Sequence, residues 1–160
     1  MKKWYVLHVA TGAELEVQRH LKSCGIDAVV LQEMVCLRRQ GSWHYETRTL
    51  FPGYVFLYIH FTAQMFHVLK RTPGAYRVLP KDKPMPMQPK DSIWLIMMAG
   101  EDVITPSKVD FSGDVPVVIE GPLKELEQYI VKYNRRQRRV SLNIPVLGER
   151  KNITLSILPV

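Results

Sequence analysis

Two cysteines, Cys24 and Cys36, are all the thiol chemistry this chain of 160 residues carries. They make no CxxC pair and are too few for a disulfide framework, so both are expected to be small core residues in a reducing compartment. No apolar run approaches the ~20 residues that a membrane-crossing helix needs, and the longest in the second half is Ile93–Ala99. The start, Met1-Lys2-Lys3 followed by Trp4–Ala10, imitates a signal peptide. However, His8 interrupts it and Glu14 and Glu16 follow at once, so a first strand is expected there. Catalytic signatures are missing: no HExxH, no paired Cys/His spacing for zinc, no glycine-rich phosphate loop and no GxSxG elbow. His8, His20, His44, His60 and His67 are scattered. No two carboxylates sit at a spacing that would hold them together. Neither an enzyme, a metal site nor a cofactor is expected.

Acidic charge is also in short supply. Against 22 Lys and Arg stand 15 Asp and Glu, a net +7, with a pI near 9.5. Such a balance points to a polyanionic partner, with nucleic acid ahead of an anionic membrane surface. The excess sits in two blocks. Residues 1–99 carry 13 basic and 7 acidic side chains, and residues 113–160 carry 8 and 5. Between them Gly100–Ser112 is acidic, weakly periodic and contains Pro106, which reads as a linker over 100–112.

The first block alternates element types. Trp4–Ala10 is strand-like, and Thr11-Gly12-Ala13-Glu14 forms a capping box before a helix carrying Val17, Leu21 and Cys24, stopped by Gly25. Ala28–Leu37 and Trp43–Thr49 read as a hairpin about the turn at residues 38–42. After Phe51-Pro52-Gly53 comes a strand, Tyr54–Phe61, with aromatic residues on one face and aliphatic residues on the other. Thr62 caps a helix over Ala63–Arg71, Tyr76–Leu79 is a strand, and a proline-rich loop leads to a helix at Lys90–Ala99. This order predicts an α+β fold, an antiparallel sheet with flanking helices. Residues 113–160 show four period-2 segments: Val115/Val117/Ile119, Tyr129/Val131/Tyr133, Val140/Leu142/Ile144 and Ile153/Leu155/Ile157. These suggest a small five-stranded β-barrel, with a short strand near Leu147.

Several motifs in order carry a resemblance. Lys3-Trp4-Tyr5-Val6-Leu7, Phe51-Pro52-Gly53-Tyr54-Val55-Phe56 and Lys70-Arg71-Thr72-Pro73-Gly74-Ala75 resemble the amino-terminal NGN domain of the NusG family of transcription elongation factors. Gly113-Asp114 and Glu120-Gly121-Pro122 resemble the start of that family's KOW barrel. Alternation alone leaves the Tyr54/Phe56/Tyr58 stripe open to two readings, a core face or a greasy docking surface. The resemblance implies the second: in the family the matching stripe grips the clamp helices of RNA polymerase, which assigns Tyr5, His8, Tyr54 and Phe56, with Ile93 and Ile96 from the third helix, to polymerase binding.

The densest charge is Arg135-Arg136-Gln137-Arg138-Arg139, with Lys132 nearby. So many guanidiniums must be exposed, either as a solvated hairpin tip or as a site for RNA phosphates and guanine edges. Arg38 and Arg39 sit at another hairpin tip, while Lys70 and Arg71 close a helix, where they also suit its dipole. The resemblance places these four near the upstream fork or non-template DNA.

The chain departs from the family's pattern at Leu123–Gln128, where a second glycine is usual, and at Val115-Pro116-Val117, where Pro116 argues for an edge strand. It departs again at Leu147-Gly148, where general factors present an aromatic residue to Rho or a ribosomal protein. These features resemble a specialised paralogue of the LoaP type. The reading is a cytoplasmic bacterial factor, nucleoid-associated during transcription and monomeric, that binds polymerase and a nascent RNA hairpin. A general factor coupling polymerase to Rho or the ribosome is the alternative within the family. A free-standing RNA-binding or ribosome-assembly protein is the rival outside it.

Overall fold

The structure, a computed structural model, describes all residues from Met1 to Val160. The chain forms two compact units, one from residues 1–31 and 51–92, the other from residues 32–50 and 93–160. No helix is long and apolar enough to cross a membrane.

The first unit is built on β1 (Lys3–Val9), α1 (Glu14–Ser23), β2 (Asp27–Val29), β5 (Tyr54–Ile59), α2 (Ala63–Lys70) and β6 (Ala75–Leu79). Its sheet runs β2-β5-β1-β6, antiparallel throughout. Cross-strand partners share a face, and β1 pairs Tyr5 with Leu57 and Leu7 with Val55. With Val9, Ile59, Ala28 and Val78 these residues join Val17, Leu21 and Leu69 of the two helices in one apolar core. The opposite register, Trp4 with Tyr58, Val6 with Phe56 and His8 with Tyr54, makes the aromatic face. Thr62 caps α2 as its spacing predicts, accepting from the Met65 amide at 3.1 Å.

Thr11 does not cap α1, whose N-cap is Ala13 without a side-chain bond. Glu14 carries the motif alone. The residue is 4 % exposed, and its carboxylate accepts from the Gly12 amide at 2.9 Å and the Gly53 amide at 2.8 Å. An anion at a helix start also meets the positive end of its dipole. Gly53 returns a bond from its carbonyl to the Val9 amide at 2.8 Å. One carboxylate thus ties the start of α1 to the turn that launches β5. Cys24 lies exposed at the end of α1, contrary to expectation, while Cys36 is buried.

The second unit holds β3 (Gln32–Arg39), β4 (Ser42–Thr49), α3 (Ile93–Ala99), β7 (Ser107–Asp110), β8 (Val117–Glu120), β9 (Ile130–Asn134), β10 (Arg139–Val146) and β11 (Glu149–Pro159). Five strands curl in the order β8-β7-β11-β10-β9, and β3-β4 is a separate two-stranded sheet. The second half of the expected 100–112 linker is therefore a strand: β7 runs parallel to β11 from Ser107 opposite Ile157. This supplies the fifth strand, and Leu147-Gly148 is instead a two-residue turn with both φ angles positive. The hairpin 32–49 belongs with this unit, as does α3 from Ile93 onward.

Three further departures have local causes. Leu123–Gln128 lies in a 3-10 helix, Pro122–Tyr129, that buries Leu123 and Leu126; their spacing of three matches its turn. It starts at Gly121, where φ is +111 and a Cβ would come within 2.5 Å of Ser107 Oγ, so no other residue fits. In β9 the register shifts opposite Ser141 and Leu142, leaving Val131 as the unpaired extra residue. Val131 consequently faces solvent rather than sharing a face with Tyr133. Along β8 it is Val118 that is buried, while Val117 and Ile119 are exposed, as is Val115 ahead of the strand. As Pro116 suggests, β8 is an edge strand.

Truncating the carboxylate knot tests its weight. Glu14→Ala leaves two amides short of their acceptor and should cost on the order of 2–4 kcal/mol of stability. Urea unfolding followed by circular dichroism reads this, and a midpoint equal to wild type would mean water replaces the carboxylate at no cost.

Candidate functional site

The aromatic face of the first unit is graded in depth. Phe56 is 0 % exposed and Phe51 4 %, their rings edge-to-face at 5.5 Å. Tyr54 stacks on Phe51 at 6.3 Å and meets His8 edge-on at 6.3 Å. His8 also meets Tyr76 at 5.1 Å. Tyr58 and Tyr76 are exposed, and Tyr58 packs at 5.0 Å against Trp4.

Of the residues that sequence grouped here, His8 and Tyr54 lie together and half open. Phe56 shares the face, but its ring is fully buried. Tyr5 does not belong with them: pairing with Leu57 turns it to the helix-packed face, where its ring lies 5.0 Å from Phe61. Burial raises its phenol pKa. Tyr76 was missed because it falls at the register shift between β1 and β6, which a period of two does not register. Ile93 and Ile96 are exposed on α3 of the other unit, whose Trp94, Leu95 and Met98 are buried. Trp94 donates its indole N–H to the Pro145 carbonyl at 2.9 Å.

Lys70 lines a hollow of about 270 Å³ with Tyr76, Arg77 and Lys81. Arg71 caps the end of α2 and is not among the hollow's lining residues.

The second unit carries the stronger concentration of charge. At the β3–β4 tip Gln40 and Gly41 both have positive φ, a tight two-residue turn that sets Arg38 opposite Trp43. At the β9–β10 tip the Asn134 side chain accepts from the Gln137 amide at 3.0 Å, and the Arg138 amide donates to the Arg135 carbonyl at 3.2 Å. These bonds shape a turn in which Arg138 takes φ +55.

The two tips meet. The Arg138 guanidinium lies 4.1 Å from the centre of the Trp43 ring, and that of Arg38 lies 5.8 Å from it. Between the tips is a cleft of about 540 Å³ lined by Cys36, Leu37, Arg38, Trp43, Arg136, Gln137 and Arg139. Sequence separated Arg38 and Arg39 from the arginine run; folding puts Arg38 with it. Arg39 instead pairs with Glu46 at 2.7 Å, and Arg48 pairs with the same carboxylate at 3.2 Å. These arginines hold the Glu46 pKa below its usual range. Arg135 lies over Phe111 at 5.7 Å. Lys132 is exposed on β9, outside the cleft lining.

Behind the cleft is one buried acid. Glu33 Oε1 lies 4.0 Å from Arg139, and its Oε2 has no hydrogen-bond partner. Burial pushes its carboxyl up to about 7, against the pull of Arg139, Arg48 and a bond from Ser156. The arrangement offers guanidinium donors, an indole face and a small apolar floor, which suits phosphates and flat rings.

A family profile described as "Transcription termination factor nusG" matches residues 2–94, more than half of the chain. This chain belongs to the NusG family. It is similar to the transcription termination/antitermination protein NusG of Helicobacter pylori, 22 % identical over 170 residues that cover 99 % of this chain and 96 % of that one. To NusG of Pseudomonas aeruginosa it is 25 % identical over 167 residues, covering 96 % and 94 %. A solved structure titled "Domain interaction in Thermotoga maritima NusG" shares the fold with a TM-score of 0.54 at 20 % identity, covering 98 % of this chain and 94 % of that chain. The α+β architecture with a curled five-stranded sheet is thus that of the family. The chain is a NusG-type transcription termination/antitermination factor, and proteins of this family are transcription factors, not enzymes.

Glu33 gives this NusG-type chain a measurable pH dependence. A carboxyl whose pKa rises on folding takes up a proton between about 4.5 and 7. Stability therefore falls as pH climbs through that window and levels off above it, by on the order of 3 kcal/mol in total. Glu33→Gln should remove that slope and exceed wild type at pH 8 but not at pH 5. Urea unfolding at the two pH values checks it; parallel pH curves for both proteins would show that Glu33 stays ionised.

Proposed function

We propose that this chain is a specialised antitermination factor of the NusG family, most like the LoaP type. The first unit docks on RNA polymerase and the basic tip of the second unit holds structured nascent RNA. The observation that carries the reading is the arginine tip: three guanidiniums in one hairpin turn and a fourth, Arg139, at the start of β10, with Arg38 added beside them. Arg136 and Arg38 have no carboxylate partner, so their charge is available to phosphate. The Leu147-Gly148 turn, which presents no aromatic ring, favours this reading over a general factor coupling polymerase to Rho or the ribosome.

Docking rests on family membership and on the half-open part of the aromatic face. His8, Tyr54, Tyr58 and Tyr76 form an amphipathic aromatic surface of the kind that anchors protein interfaces. The polymerase clamp helices are the expected partner of this surface; Ile93 and Ile96, exposed on α3 of the second unit, are an apolar strip of their own. Phe56 supports the face from beneath. Lys70, Arg77 and Lys81 form a separate basic rim suited to non-template DNA, with Arg71 next in the chain after Lys70 at the end of α2. Binding in both places stabilises the transcribing state without chemistry by the factor itself.

In vitro transcription through a terminator, on a cognate and an unrelated leader, tests the reading. Readthrough should rise only where the structured leader is transcribed. Tyr54→Ala should lower retention on core polymerase by about 2 kcal/mol while leaving the circular dichroism spectrum unchanged. Wild-type protein that is not retained on polymerase yet binds RNA would establish the free-standing RNA-binding rival.

RNA affinity should fall linearly with log salt, and changing Arg135, Arg136, Arg138 and Arg139 to Ala should flatten that slope by about 2 to 4. Polymerase retention should not change. A slope identical in the quadruple variant would leave the arginines as a solvated tip and favour the general-factor reading.

A further inference from the structure

Trp43 draws two guanidiniums to a single ring. It is half-buried on the β3–β4 hairpin, where a solvent-facing strand position is normally polar. One arginine from its own hairpin and one from the β9–β10 tip lie over its ring. A guanidinium stacked on an indole loses little of its hydrogen-bonding edge, because the stack uses its face and the N–H groups point outward in its plane. The pair therefore presents a flat platform and a rim of donors at once. Cys36 and Leu37 give the cleft an apolar floor, and Arg136 and Arg139 line its walls. Its volume of about 540 Å³ lies within the ~300–1,000 Å³ of pockets that enclose small ligands.

A double-stranded stem offers phosphates to such a cleft but no free ring, since its bases are stacked on one another. An unpaired nucleotide offers both. We propose that this cleft binds one unpaired nucleotide, its base stacked on Trp43, whose ring Arg138 braces, and its phosphates held by Arg38, Arg136 and Arg139. This rests on the reading of the arginine tip as an RNA-binding element and adds to it. The two hairpin tips form a single site, Arg38 serves the same strand as the arginine run, and selectivity for a loop over a stem comes from Trp43. The unpaired nucleotide comes either from an RNA loop or from one strand of opened DNA, and both carry the same ring and phosphate chemistry.

The test titrates the full chain with a labelled RNA hairpin carrying an unpaired purine loop, with 2-aminopurine at one loop position. Two further probes are the same stem as a blunt duplex and a single-stranded DNA of the loop sequence. Wild type should bind the looped RNA roughly 5- to 100-fold more tightly than the blunt duplex, the range that base–aromatic stacking supplies, and should change the 2-aminopurine emission. Trp43→Ala should erase the preference and the emission change while keeping the salt slope, which the arginines set. Trp43→Phe, which keeps a ring at the hairpin, should retain part of both and guards against a folding defect. Arg38→Gln should lower affinity for looped RNA and flatten the slope by about one unit.

Trp43-dependent binding tightest to RNA assigns the nucleotide to the transcript, and tightest to DNA assigns it to the opened duplex; both support the cleft. Salt-dependent binding that treats loop and duplex alike, unaltered in Trp43→Ala, overturns the cleft while leaving the arginine tip's role intact. Absence of binding to every probe overturns the RNA-binding reading itself.

Discussion

The Arg138 guanidinium rests on the Trp43 ring at 4.1 Å, and through that contact two hairpins nearly a hundred residues apart share one surface. Gathering like charges is unfavourable unless something offsets their repulsion. Here the offsets differ residue by residue. Arg138 has an indole face, Arg135 a phenyl ring, Arg39 the Glu46 carboxylate, and Arg139 the distant edge of Glu33. Arg38 has only the more distant Trp43 ring at 5.8 Å, Arg136 is in none of the ion pairs, and both line the cleft. The distribution leaves the strongest demand for an anion at one place on the unit.

Glu33 belongs to the same balance. A buried acid beside a cationic cleft could neutralise Arg139, but burial holds its carboxyl near 7, so around neutral pH it is only part ionised. Glu33 therefore offsets Arg139 only in part near neutral pH, and more fully as the pH rises above about 7. In the first unit Glu14 does a contrasting job. Its oxygens are occupied by the amides of Gly12 and Gly53, and it acts as a structural knot that fixes where β5 begins and which way Tyr54 and Phe56 point.

Much of this was legible in the chain. Alternation identified the two faces of β5, Thr62 marked its helix, and Pro116 marked an edge strand, because each follows from local periodicity or from a single residue's geometry. Motif order sufficed for the family. What was not legible depends on pairing. Tyr5 changed faces because its cross-strand partner is Leu57, and Val131 changed faces because a bulge absorbs one residue. Ser107–Asp110 is a strand because β11 is long enough to pair with it, although its own sequence reads as linker. The cleft was hidden most completely: Arg38, Trp43 and the arginine run each had an ordinary local explanation, and only the approach of two turns gives them a common one.

The central claim is that both tips meet the same strand of nucleic acid. The most direct measurement is photo-crosslinking within a halted elongation complex, with 4-thiouridine in the emerging transcript and mass spectrometry of the crosslinked peptides. The account predicts crosslinks to the β3–β4 tip and to the β9–β10 tip from the same short stretch of RNA. Crosslinks confined to one tip, or falling on other surfaces of the chain, would contradict it.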